Sequence, residues 1–552
     1  MIDFSSTPWL TEPARETPVL TDCDVLVAGG GPAGMAAAVA AAATGARTVL
    51  IERYGFLGGM GTAGGVTNFA GLYGKRAGQM QRLVHGVCDE LLDRMDKLGG
   101  LNQPQDGMGG RIRVLSYDVA AYKCAADAWL HQAGVQILFH ALACDVLVQD
   151  QVIQAVLVQT RSGRVAIRAK QIVDATGDAD IAARSGAHYT LGDGDGNMLY
   201  PSTMFRIADV DAARAQAAVG EFGAIDRWMQ EAADRYDFAR RGAILRPQRN
   251  PRQWRANVTQ LRNEQGKAVD ATDAWQLSQA EVEGRRQIVE YMRFLKAEVP
   301  GFEQAEIAEI APQVGIRETR RVHCQHMLEG DEVIHGARFE DSIGLNAWPI
   351  ESHVQGAIEW QHFADPDHAY NQLPLRMLLP VSPAPRNLWM AGRCAGMTHL
   401  GQSAARASGA CFVMGQAAGT AAALQCAGTW DVAMLQSQQY SNHAMQCGQS
   451  VSDADTHTNG HTPRFSGQMP QATNGLTNHT KARAIAVGPC LAVAADAQND
   501  QFGILFNQAF GRQSPTLQCT RPEVFYQNVC FAGQLLDQCL TFRCSEVQGQ
   551  RA

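Results

Sequence analysis

Residues 23–29 read CDVLVAG, residues 29–45 read GGGPAGMAAAVAAAATG and residues 47–52 read RTVLIE. The first run is short, apolar and rich in Val and Leu, bounded by Asp22 and Gly29, the pattern of a buried parallel strand. The second has strong helical propensity and stops at Gly45. The third reads as another strand, so the order is strand, turn, helix, strand.

Within the turn, Gly29, Gly31 and Gly34 form G-x-G-x-x-G. On this scaffold the first glycine suits a tight turn, the second lets a pyrophosphate approach the backbone, and the third lets helix and strand pack closely. The helix N-terminus offers N–H groups and a positive dipole end to the phosphates. Glu52, closing the second strand, is placed to accept hydrogen bonds from ribose hydroxyls and disfavours a 2′-phosphate. Alone, a glycine-rich turn is also compatible with a purely structural connection. In this setting it predicts a dinucleotide site, without separating NAD from FAD.

Composition narrows the field. The chain has 552 residues, 46% hydrophobic and 18% charged, with a formal net charge of −8. That suits a globular protein of about three or four units at roughly 150 residues each, and no basic patch points to nucleic acid. The start, MIDFSSTPWLTEPARETPVL, lacks the basic and apolar regions of a secretory signal, and no run of 18 apolar residues suggests a membrane span. Fourteen cysteines without C-x-x-C pairs read as reduced thiols of a cytoplasmic protein, against disulfide exchange and iron–sulfur ligation.

Downstream segments favour a large, resident cofactor. YGFLGGMGTAGG (54–65), with Gly58 and Gly59, suggests backbone lying against a ligand. Residues 116–134 read as an amphipathic helix, followed by short strands in VQILFH and CDVLVQ. A meander with a Ser-Gly turn then delivers the chain to Asp174-Ala175-Thr176-Gly177-Asp178, a second approach to the nucleotide. NLWMAGRCAGMTHLGQSAARASGACFVMGQAAGTAAAL (387–424) repeats strand, glycine-bearing loop and a long small-residue helix, in which Gly409, Gly415 and Gly419 permit close packing and the N-terminal dipole faces the flavin. Two such sites far apart in the chain suit a two-ended ligand, FAD.

These segments, with GIRETRR, FEDSIG and LPLRMLLP, resemble the FAD-dependent oxidoreductase family, whose flavin fold is similar to that of the glutathione reductase and fumarate reductase flavoproteins. The resemblance runs from about residue 18 to 440. It implies an α/β fold: a Rossmann-like FAD-binding domain built from both chain ends (18–200 and 345–440), with an inserted α+β substrate or cap domain (201–344). It also implies FAD contacts at Gly29, Gly31, Pro32, Ala33, Gly34, Glu52, Arg53, Gly58, Gly59 and Val146. Further contacts fall at Ala175, Thr176, Gly177, Asp178, Gly392, Arg393, Gly401 and Gln402.

Candidate catalytic residues are fewer. In GIRETRRVHCQHML (315–328), Arg317 or Arg321 is expected to be functional, the alternative being a structural ion pair; if the segment is a strand, Arg317 and Glu318 face opposite ways. The resemblance places a histidine at His353, which can take a hydroxyl or amine proton as hydride leaves the adjacent carbon. The alternative is a core histidine satisfied by a carbonyl. Arg376 and Arg406 match family arginines suited to a carboxylate or a reduced flavin. Leu375 and His326 stand where relatives often carry tyrosine, which implies a different substrate. Cys394 reads as a buried inert thiol.

The expected activity is hydride transfer from an alcohol or amine C–H of a small-molecule substrate to flavin N5, with the electron acceptor open and a homo-oligomer allowed. An ene-reductase of fumarate-reductase type and a non-catalytic flavin-binding redox partner are the alternatives. A hydroxylating monooxygenase is disfavoured because the second flavin segment reads AGRC rather than a Gly-Asp pair. From 441 to 480 the polar texture reads as a linker or disordered stretch, and 481–552 as an extension of unknown fold. His457, His461 and His479 are too irregularly spaced for a metal site.

Overall fold

The computed structural model describes residues 7–431 except 221–224, 241 and 243, together with residue 435 and the strands Ala492–Asp496 and Gln501–Leu505. The run CDVLVAG lies inside the strand Val19–Ala28, central to a seven-stranded sheet. Its parallel part runs in the order Gln136–Leu138, Thr48–Ile51, Val19–Ala28, Gly163–Asp174, Leu388–Met390. Four of the five are buried where they meet the helices, which is why they read as continuous apolar runs rather than alternating ones, while the edge strand Gln136–Leu138 is half-buried at most.

The 12-residue strand Gly163–Asp174 serves two partners along one edge. Its first half forms an antiparallel hairpin with Val152–Thr160, and its last three residues pair in parallel with Leu388–Met390. Asn387 sits at the changeover. Its Oδ1 accepts the Ile153 N–H at 2.9 Å and its Nδ2 donates to the Ile153 carbonyl at 3.0 Å, so a side chain satisfies the backbone where one partner gives way to the next.

The helix Pro32–Ala43 packs on this sheet and is covered by the helix Ser408–Cys426. A Cβ at Gly415 would sit 2.0 Å from the Ala33 carbonyl oxygen, and one at Gly419 2.0 Å from that of Ala37. The two helices therefore meet backbone to backbone. The long helix expected after residue 400 is broken in two: His399–Ala405 and Ser408–Cys426 meet at 95°. The cause is the Ala70 backbone, whose N–H donates to Ser408 Oγ at 2.9 Å while its carbonyl accepts from Ser408 Oγ and from the Gly409 N–H.

Residues 205–310 carry a second apolar core. Four antiparallel strands in the order Ile244–Pro247, Trp254–Asn257, Phe205–Ala208, Glu306–Ile310 are backed by the helix Ala274–Glu298, which buries Ile288, Tyr291, Phe294 and Leu295. Its Arg286 and Arg293 pair with Glu283 and Glu290 on the exposed side, the solvated face expected from the sequence. The described chain clusters as one unit over Met1–Thr458, while the second unit, Asn459–Ala552, contributes an antiparallel pair, Ala492–Asp496 with Gln501–Leu505. The expectations for 441–480 and for His457, His461 and His479 lie outside the described residues. Among the described residues, no single helix is long and apolar enough to cross a membrane.

Gly415→Ala and Gly419→Ala should each lower thermal stability, despite alanine's higher helix propensity, because each methyl meets a carbonyl in the neighbouring helix. A loss of about 1–3 kcal/mol is expected. Thermal denaturation that shows no loss for either variant would mean that the helices are free to separate.

Candidate active site

The C-terminal ends of the parallel strands open into one cavity of about 610 Å³, where a doubly wound sheet binds its ligands. Gly29, Gly31, Pro32 and Ala33 line it from the first strand and helix, and Glu52 and Arg53 from the end of the second strand. Ala175, Thr176, Gly177, Gly392 and Arg393 follow the 163–174 and 388–390 strands into the same space. The two distant glycine-bearing segments therefore share one wall.

The cradle is built for a ligand approaching the backbone. Gly29 has φ +100, and a Cβ there would lie 2.5 Å from the Ala175 carbonyl oxygen. A Cβ on Gly34 would lie 1.7 Å from the Gly29 carbonyl oxygen, so this glycine serves helix packing behind the cavity. Gly31 differs: its backbone is ordinary (φ −75), and the nearest atom to a Cβ would be Gly59 Cα at 3.7 Å. Fold packing leaves that space open, and the N-terminal turn of the 32–43 helix carries no acid to compete with a phosphate. These residues fit a dinucleotide pyrophosphate.

Glu52 is buried at the cavity wall, its Oε2 accepting the Gly30 N–H at 2.6 Å and its Oε1 the Tyr54 N–H at 2.9 Å. Burial raises its pKa in spite of these bonds. The remaining lone pairs are what it has for ribose hydroxyls. Asp178 is fully paired behind the wall: Arg393 at 2.7 Å, Arg53 at 3.2 Å and the Thr319 hydroxyl at 3.0 Å. Burial opposes its ionisation, yet Arg393 and Arg53 outweigh burial and hold its pKa below the usual value. Asp178 thus orients two arginines that face the cavity. Asp174 fixes the adjoining turn by accepting from Thr176, Ile181 and Ala182 N–H groups.

Away from the cradle, side chains from the insert and from the strand Ile350–Val354 line the cavity beside Phe69, Tyr117 and Trp348. Glu351 and His353, two apart on that strand, share a face. His353 Nε2 lies 3.2 Å from Glu351 Oε1, and the Trp348 indole N–H donates to Glu351 Oε2 at 3.0 Å. Burial and the Arg317 charge push the His353 pKa well down, so the imidazole is neutral. It donates to the carboxylate through Nε2 and keeps Nδ1 as a proton acceptor. Arg317 donates to the Tyr200 carbonyl at 2.6 Å and to Ser202 Oγ at 2.9 Å, and Arg406 to the Glu351 carbonyl at 3.0 Å.

The structure brings His353, Arg317 and Arg406 into the cavity wall and leaves other expected positions outside it. Arg376 is corrected: it is half exposed and ion-paired with Asp341 at 3.1 Å, away from the cavity. Val146 is corrected too, being a core residue of the sheet, while Ala141, Leu142 and Ala143 reach the cavity instead. Gly58 packs on Thr62 and Tyr122, and Gly401 against the Leu328 carbonyl. Gln402 acts through Arg317, whose carbonyl accepts its Nε2 at 2.8 Å. Arg321 forms the structural ion pair, with Glu318 at 3.0 Å. Leu375 and His326 do not line the cavity, so their departure from tyrosine carries no message about the substrate there. Cys394 is buried, and burial raises its thiol well above the usual range.

Sequence reasoning missed Glu351, Arg240, Arg246, Arg255 and Asn257, which all line the cavity. For Glu351 a signal existed, since ESH on a strand puts both ends on one face. For the three arginines there was none beyond their placement in the insert.

A sequence model of the family described as FAD dependent oxidoreductase matches residues 24–443. The chain belongs to that family. It is an enzyme, and its cofactor is FAD. This FAD-dependent oxidoreductase is 27% identical over 173 residues to the thiamine thiazole synthase of Methanococcus vannielii, covering 30% of this chain and 60% of that protein. For the thiamine thiazole synthase of Methanococcus maripaludis it is 27% over 166 residues, covering 29% and 57%. The chain thus spans less than two thirds of these curated relatives. Solved structures similar to it include a geranylgeranyl bacteriochlorophyll reductase-like protein from Thermoplasma acidophilum, with a TM-score of 0.40, 14% identity and coverage of 77% of this chain and 84% of that one. Another is an aromatic hydroxylase from angucycline biosynthesis, with a TM-score of 0.38, 10% identity and coverage of 76% and 66%.

Gly31→Ala should leave the unfolding temperature of the cofactor-free protein unchanged and weaken FAD binding by about tenfold or more, about 1.4 kcal/mol. Equal FAD affinity by fluorescence titration would remove Gly31 from the cradle. Asp178→Asn should destabilise the protein by about 1–3 kcal/mol at pH 7, since it removes the buried carboxylate that pairs with Arg393 and with the partly exposed Arg53. Because the folded pKa of Asp178 is depressed, its stabilisation is present above the ordinary carboxylate pKa and lost as pH falls below it. Denaturant unfolding should therefore show the difference shrinking below about pH 4.

Proposed function

We propose that this FAD-dependent oxidoreductase is a dehydrogenase or oxidase that takes hydride from a carbon bearing a hydroxyl or amine, with His353 as the base. The observation that carries the reading is the His353 imidazole in the cavity wall, held by Glu351 at 3.2 Å. When bound, FAD accepts the hydride and both electrons at N5. His353 Nδ1 takes the heteroatom proton as the carbon–heteroatom double bond forms. Glu351 fixes the tautomer and offsets the charge that the imidazole gains. Trp348 and Arg406 hold Glu351 in turn, through its carboxylate and its carbonyl.

A second reading, reduction of an activated alkene, is favoured by Arg317 and Arg406 lining the same cavity, where a guanidinium can grip a carboxylate. The two are separated by assaying with an artificial electron acceptor and with reduced viologen.

His353→Ala should slow anaerobic bleaching of the flavin by the true substrate by about 10²–10⁴-fold, the range for a general base, with FAD content unchanged. An unaltered rate in stopped-flow reduction would end the assignment. Burial keeps the imidazole neutral to lower pH than an exposed histidine, so the acid limb of the rate profile should fall below about pH 6.5.

A further inference from the structure

The insert gives the cavity a strongly positive chamber. Arg240, Arg246, Arg255, Arg317 and Arg406 line it, against Asp226 and Glu351 from the same region. They arrive from separate elements: Arg240 from a loop, Arg246 and Arg255 from adjacent strands, Arg317 from the 315–320 segment and Arg406 from the break between helices. Arg246 and Arg255 are direct cross-strand partners in an antiparallel pair, and like charges facing each other in this way are destabilising. In the next strand, Arg206 also faces Arg255, but there Glu309 pairs with it at 2.8 Å. The sheet thus pairs its outer arginine with an acid, whereas Arg246 and Arg255 line the cavity and Arg255 donates to the neutral Thr67 hydroxyl at 3.2 Å.

Two further observations point to an anionic ligand. Arg240 is 2% exposed, donates through one terminal nitrogen to the Asn257 carbonyl, and has a buried Nε with no hydrogen-bond partner among the described residues. The Arg406 Nε is in the same condition. Buried donors of this kind are costly to leave unmet. Burial, reinforced by neighbouring guanidinium charge, brings Arg246 down to about 9 and lowers Arg317 strongly, while burial brings Arg255 down to about 10.

We propose that the chamber binds a small dicarboxylate, with the oxidised carbon held beside His353 and its two carboxylates met by arginines from different elements. Five guanidinium groups against two carboxylates leave a surplus that one carboxylate does not balance. Spread over several elements, they suit two separated charges better than a single phosphate. Bidentate guanidinium–carboxylate pairing supplies both charge and orientation. The inference rests on the cavity being the substrate site of the proposed hydride transfer, and it names the substrate class.

The test is calorimetric titration of the FAD-loaded enzyme with malonate, succinate, glutarate and adipate, each beside the monocarboxylate and diol of equal chain length. Inorganic phosphate is the control. At least one dicarboxylate should bind tenfold or more tighter than its monocarboxylate, with the diols weakest, and Arg240→Gln should cut that preference at least tenfold. Arg246→Gln serves the same purpose if the Arg240 variant loses FAD. Equal binding across each length series, phosphate binding as tight as the best dicarboxylate, or an unchanged preference in the FAD-loaded variants would overturn the proposal. Binding is read without turnover, so a dicarboxylate that binds and fails to bleach the flavin defeats hydride transfer alone. A neutral alcohol that bleaches it without any dicarboxylate preference defeats the charge inference alone.

Discussion

The backbone contact between the helices 32–43 and 408–426 is the constraint on which the site depends. Two carbonyls of the first helix, Ala33 and Ala37, occupy the space that side chains at Gly415 and Gly419 would need. That contact and the pairing of Leu388–Met390 with the 163–174 strand together set the turn at Gly392 and Arg393 beside the glycine cradle. Small residues here act through what they omit. The same logic breaks the helix at Arg406 and Ala407, where the Ala70 backbone is held by Ser408 and Arg406 is set into the cavity wall.

Electrostatics divides the cavity. Around the cradle, charges are matched in place: Asp178 holds Arg53 and Arg393, and Glu52 is occupied by backbone donors. In the chamber beyond, arginines outnumber acids among the described residues, and the acid–imidazole pair of Glu351 with His353 is embedded among them. A neutral histidine follows directly from that setting, since a second positive charge there is opposed by burial and by Arg317.

The cradle was legible in the sequence because its requirements are local. A left-handed Gly29, an open Gly31, a close-packed Gly34 and an acid ending the next strand all fall within one strand–helix–strand unit. The joining of both chain ends was legible through motif resemblance, which also pointed to His353, Arg317 and Arg406, all of them in the cavity wall. Arg376 was misplaced because a basic residue in a matching motif says nothing about which way its turn directs it: Leu375, Met377 and Leu378 are buried, while Arg376 points outward to Asp341. Arg240, Arg246 and Arg255 were invisible for the opposite reason. Their convergence depends on strand pairing within the insert and on its placement over the cavity, neither of which has a local signature.

The divided pairing of the strand 163–174 has a consequence for how the enzyme is made. Its final residues join Leu388–Met390, and the Trp389 indole bonds Gln171 across 218 residues of chain. During synthesis the first four parallel strands emerge long before the fifth, leaving an open sheet edge and an uncovered alanine helix while the whole insert is translated. Contacts of such range form slowly, and exposed edges invite association with other chains. The hairpin with Val152–Thr160, which is local and present early, covers half of that edge in the meantime and makes the nascent flavin domain less prone to aggregate before its last segment arrives.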